Sequence, residues 1–160
     1  LIDKAAVAEV DWVIDLVTSV RSARTDLNVP VAAKVPMVIT GASKATEGRL
    51  ATYQALIERM ARLESVKLGE APKGSIRLVA GEATACLEVA SLIDLKAETA
   101  RLRKEIAKHE ADISGVDKKL ANAQFVAKAP PEVVEEQHER RAAAEAARTK
   151  LGDALKQLEE

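Results

Sequence analysis

Two heptad seams that meet at a Pro-Pro pair leave the C-terminal part of this chain few ways to fold. Leu95, Thr99, Leu102, Ile106, His109, Ile113, Val116 and Leu120 alternate spacings of four and three, which keeps one helical stripe facing a partner. Beyond Pro130-Pro131, Val134, Gln137, Arg141, Ala144, Arg148, Leu151, Leu155 and Leu158 repeat the rhythm with a mixed middle. Folding at Phe125–Pro130 sets Leu120 against Val134, Ile113 against Arg141, Ile106 against Arg148 and Leu95 against Leu158. The arginine stems can then lie over isoleucine side chains while their guanidinium heads reach water. The expectation is an antiparallel two-helix coiled-coil arm over 92–160. At 1.5 Å per residue each helix would extend roughly 40 Å, too far for a small neighbouring unit to cover, so the arm should project. Phe125, the one Phe of the chain, is expected to plug its far end. Pro130 and Pro131 should start the return helix, where a first-turn proline forfeits no hydrogen bond.

Upstream the pattern changes twice. Residues 5–25 read as an amphipathic helix, with Val10, Ile14, Val13, Leu16, Val17 and Val20 forming a stripe expected to be covered by helices outside this chain. It should end before Pro30, which pushes Val29 out of the α region. Arg21 and Arg24 suit the negative end of that helix dipole. Residues 31–92 then give VPMVIT as a strand and Thr46–Leu63 as a helix with Leu50, Tyr53, Leu56, Ile57 and Met60 on one side. SVKL follows as a short strand, and SIRLVA and TACLEV as a hairpin about Gly81-Glu82-Ala83. The predicted class is α+β: a small, mostly antiparallel sheet with one or two helices, followed by the long arm. The boundaries fall at 1–29, 30–91 and 92–160.

Composition narrows the chemistry. The 160 residues are 48% hydrophobic but only 2% aromatic, which suits narrow helix contacts better than one thick core. A net charge of -1 exerts no global pull on polyanions, so any such site must be a local arrangement. The single Cys86 permits no internal disulfide and reads as a core residue of a cytoplasmic protein. No apolar run reaches the length of a membrane span, and no membrane partner is expected. GASKATEG lacks the Gly-Lys-Ser/Thr ending of a phosphate loop. HEADI and HERRA lack the second histidine of a zinc helix, so no metal site is expected. The chain opens on Leu1, as if at or just before a helix, and reads as part of a larger protein.

At the arm's tip, Leu120, Asn122, Phe125, Ala129, Pro130 and Val133 form a Leu-x-Asn-x-x-Phe, short gap, Ala-Pro-x-x-Val pattern. This pattern, with LIDLKAETARLRKEIAKHEADI before it, resembles the C-terminal arm of bacterial valyl-tRNA synthetases. VRSARTDLNVP resembles the end of that family's anticodon-binding domain, and IRLVAGEATACLEVASLIDL the segment leading into the arm. The resemblance implies a ligase that joins valine to tRNA, with ATP and magnesium as the parent enzyme's cofactors, and an arm that reaches the outer corner of the tRNA. This chain lacks the HIGH-type and KMSKS-type motifs, so it should hold no cofactor of its own and be inactive alone. The implied partners are tRNA and the rest of the synthetase chain. Candidate tRNA-binding residues are the basic side chains of the arm: Arg101, Arg103, Lys104, Lys108, Lys118, Lys119, Lys128, Arg140, Arg141, Arg148 and Lys150. Leu120, Asn122, Phe125, Pro130 and Val133 are the candidate structural residues of the tip. Nearly balancing acidic residues keep a second reading open, a coiled-coil module that binds protein partners or self-associates through exposed apolar surface.

Overall fold

The computed structural model describes residues 2–159. In chain order these form α1 (Lys4–Asp26), β1 (Val35–Thr40), α2 (Lys44–Ala61), β2 (Leu63–Leu68), β3 (Ile76–Ala80), β4 (Ala83–Leu87), α3 (Leu95–Ala121), α4 (Ala123–Lys128) and α5 (Pro131–Glu159). They divide into two compact units. One takes the residues up to Glu98 together with those from Gln157, and the other is Thr99–Lys156.

The first unit is built on a four-stranded sheet of order β2-β1-β4-β3. The class is α+β as predicted, but the sheet is mixed. β1 runs parallel to β2, whereas β1–β4 and β3–β4 are antiparallel. The physical reason is the connection: α2 is a crossover helix, and a helix between two neighbouring strands returns the chain in the same direction. Pro36 lies in the central strand β1, where it cannot donate to a ladder. A register shift between Val35 and Pro36 accommodates it. Val35, Met37 and Ile39 are fully buried and alternate with half-buried neighbours, the period expected of a sheet covered most heavily on one face. Gly81 is first in the two-residue β3–β4 turn with φ of 63°, which a residue without Cβ adopts freely.

α1 packs on α2 and β3 of this same unit. Val13, Leu16, Val17, Val20 and Ala23 are buried there, so most of the stripe is covered from inside the chain, where helices outside it were expected. Ile14 lies round the helix from that face and stays 54% exposed, and Val10 is 46% exposed. A correction applies to α2 as well. Its buried face is Thr46, Leu50, Ile57 and Ala61, while Leu56 and Met60 are exposed. Thr46 and Ala61 are almost wholly buried although neither is a large apolar residue.

Candidate functional site

α3 begins at Asp94, whose carboxylate accepts the Ala97 N–H at 3.1 Å and satisfies a free donor of the first turn. Along its 27 residues every predicted seam position, from Leu95 to Leu120, is buried or half-buried, with Leu102, Ile113 and Val116 deepest. The second seam, from Val134 to Leu158, is sheltered in the same way, with Ala144 at its centre. Most intervening positions are exposed.

Ion pairs cross from α5 to α3 in the second unit. Arg140 grips Asp112 with two donors, Nη2 on one carboxylate oxygen and Nε on the other at 3.4 Å. Arg141 Nε donates to Asp117 at 2.6 Å, and its Nη1 to Glu145 at 2.9 Å. Asp112 and Arg140 each lie nine residues from the helix end nearest the turn, as in two helices that run back along one another. The Arg140 donors hold Asp112 below the usual carboxylate range, and the Asp117 carboxylate raises Arg141.

The head of Arg141 therefore reaches a carboxylate one turn tipward of Ile113, not only water as expected. Arg148 shares a hollow with Ile113 and Ser114. Helical side chains lean toward their own N-terminus, and in α5 that direction is the tip.

The tip itself differs from a plain loop. Asn122 caps a six-residue helix, α4, its Oδ1 accepting from Gln124 N at 3.1 Å and Phe125 N at 3.4 Å. Ala129 N donates back to Phe125 O at 2.8 Å, and Val133 and Val134 donate to Pro130 O. Pro131 is the first residue of α5, as its missing N–H allows. Leu120 and Val133 are half-buried and Pro130 is exposed. Phe125 is half-buried, so the tip shelters its aromatic only in part.

Residues 94–159 match the family model described as the valyl tRNA synthetase tRNA binding arm. This segment belongs to that arm family. Across 159 residues the chain is 46% identical to the valine–tRNA ligase of Agrobacterium fabrum, covering 99% of this chain and 17% of the relative. The valine–tRNA ligase of Rhizobium meliloti is 47% identical over 159 residues with the same two shares. That of Caulobacter vibrioides is 48% identical over 158 residues, 98% of this chain and 17% of the relative. The chain thus spans 17% of the length of these curated relatives, matching their C-terminal region.

The structure sorts the arm's basic residues into groups. Arg140, Arg141, Arg148 and Lys108 are engaged with carboxylates. Arg101, Arg103 and Lys150 also have interactions of their own. Lys104, Lys118, Lys119 and Lys128 are exposed and form no ion pair with the described residues. Three of these four stand at the last turns of α3 and α4, beside the tip.

Sequence reasoning missed a second basic cluster, in the first unit. Arg59 and Arg62 come together there with Arg21 and Arg24. The Arg59-x-x-Arg62 spacing at a helix end was the available signal. Among the described residues no group of His, Cys, Asp and Glu is placed to hold a metal ion, and no helix is long and apolar enough to cross a membrane.

Proposed function

We propose that this chain binds tRNA through its arm as the C-terminal part of a valine–tRNA ligase, with the tip side of the arm against the outer corner of the folded tRNA. The observation that carries this reading is the trio Lys118, Lys119 and Lys128, exposed and uncommitted near the tip of a segment of the arm family. A phosphate backbone is bound through such local charge, whatever the net charge of the chain. The surface ion pairs of Arg140 and Arg141 are solvent-screened and weak, so they can be exchanged for phosphate contacts. On this reading 1–29 close a helical anticodon-binding domain, 30–91 link it to the arm, and 92–160 form an antiparallel coiled coil. ATP, magnesium, the aminoacylation step and a cytoplasmic setting belong to the whole ligase, and the 160-residue chain alone carries no catalysis.

Titration with folded and heat-unfolded tRNA at several salt concentrations tests this. Binding should favour the folded form and weaken with salt, with a log–log slope of about -0.7 to -0.9 per phosphate neutralised. Equal binding to both forms would exclude recognition of the folded corner. Concentration-dependent self-association without tRNA binding would favour the protein-partner module instead.

A further inference from the structure

In the first unit, the ends of α1 and α2 enclose a cleft of about 560 Å³ lined by Arg21, Arg24, Arg59 and Arg62. None of its ten lining residues is acidic. We infer that this four-arginine cleft binds a phosphate of an RNA backbone, a second contact on the same tRNA that the arm is proposed to hold.

The four side chains divide the work. Arg24 is only 7% exposed, and its guanidinium donates to Arg62 O at 3.0 Å, Pro30 O at 3.1 Å and Ala33 O at 2.7 Å. Arg62 Nη1 donates to Val31 O at 3.1 Å. These two arginines fix the walls. Arg21 and Arg59 are exposed and form no side-chain hydrogen bond or ion pair with the described residues, so their donors are available to a ligand. Burial lowers the pKa of Arg24, and the neighbouring Arg62 lowers it further.

Basic residues at helix C-termini also complement the helix dipole, for about 0.3–1 kcal/mol each. The dipole does not explain the backbone. Asn28 and Arg62 are the two non-glycine residues with positive φ among the described residues, at 54° and 51°, and both line this cleft. Arg62 occupies the left-handed position that closes α2, where glycine is favoured. Left-handed closure is an ordinary way to end a helix, and here it sets both residues in the lining of one cleft. The fork of an arginine matches a phosphate's paired oxygens, which a lysine cannot grip in the same way.

The test compares the 160-residue chain with Arg21→Gln/Arg59→Gln, Arg21→Lys/Arg59→Lys and the arm variant Lys118→Gln/Lys119→Gln/Lys128→Gln, titrating folded tRNA at several salt concentrations. Arg21 and Arg59 are solvent-exposed, so the thermal midpoint should not move. The Gln pair should bind roughly tenfold more weakly, with a salt slope shallower by about 0.7–0.9 for each phosphate no longer neutralised. The Lys pair should recover the slope but only part of the affinity. Unchanged affinity and slope in the Gln pair, with binding weakened in the arm variant, would overturn the cleft and leave the arm standing. Loss in the Gln pair with none in the arm variant would uphold the cleft and sink the arm reading. No tRNA binding by the parent chain at low salt would overturn both.

Discussion

Arg24 is a buried charge of the first unit, and its three backbone acceptors lie on two different segments. It ties the end of α1 to the loop before β1 and to the residue that closes α2. Arg24→Met keeps the apolar stem but removes three charged hydrogen bonds; Arg62 O and Pro30 O retain the Val35 and Ala33 N–H groups, whereas Ala33 O loses its donor. A charged hydrogen bond contributes about 1.5–3 kcal/mol, so the variant should lose at least about 2 kcal/mol, read from urea unfolding. Glu82 has a comparable role at the other end of α2. Its carboxylate accepts from Ser43 N at 3.0 Å and Thr46 Oγ1 at 2.6 Å. It sits where a phosphate would have to sit if GASKATEG were a phosphate loop. The hydrogen bonds from Ser43 and then Thr46 hold its pKa down to about 2, from an ordinary 4.5. The folded pKa is depressed, so this stabilisation is complete above pH 4.5 and disappears as pH falls toward 2. Glu82→Gln should lower the urea midpoint at pH 6 and flatten its fall between pH 4.5 and 2. A parallel shift of the whole profile would count against the assignment.

At the scale of elements, the tip is the place to probe. Asn122→Ala removes the cap of α4, and a lost cap costs about 1 kcal/mol. The helix has no buried residue to resist it, so amide exchange should quicken from Ala123 to Lys128 while β1 and β4 are unaffected. Phe125→Ala should cost less than the 3–5 kcal/mol typical of a buried aromatic, because Phe125 is only half-buried. Exchange near Leu120 and Val134 should still rise. No change there would remove Phe125 from any role in closing the tip. The two seams were legible in the sequence because the 3.5-residue period recurs through α3 and α5, and each recurrence repeats the same signal. The four strands and their order along the chain were legible too, through β-branched runs bounded by glycines. What stayed hidden depends on space rather than period. The β1–β2 pairing is set by the route of α2, α4 is too short to show a repeat, and Arg59 and Arg62 become neighbours of Arg21 only after folding. The reach of Arg141 to Asp117 depends on side-chain lean, which spacing alone does not encode.

At the scale of the molecule, the first unit is interrupted. The chain leaves it at Glu98 and rejoins it at Gln157, whose Oε1 accepts the Arg77 N–H at 2.9 Å. For the sheet, everything between those points is a tether, and closing a tether costs free energy that grows only with the logarithm of its length. Each doubling adds about 0.6 kcal/mol. Removing one heptad from each helix, 103–109 together with 145–151, keeps the predicted seam pairing and shortens each helix by about 10 Å. Amide exchange in β1 and β4 should then stay within a few tenths of a kcal/mol of the parent chain, while tRNA affinity falls because the lysine-bearing tip no longer reaches as far. A sheet that loosened in the shortened chain would show that the two units share stability. If it holds, the length of the arm is free to vary with the distance it must span, at almost no thermodynamic consequence for the unit that anchors it.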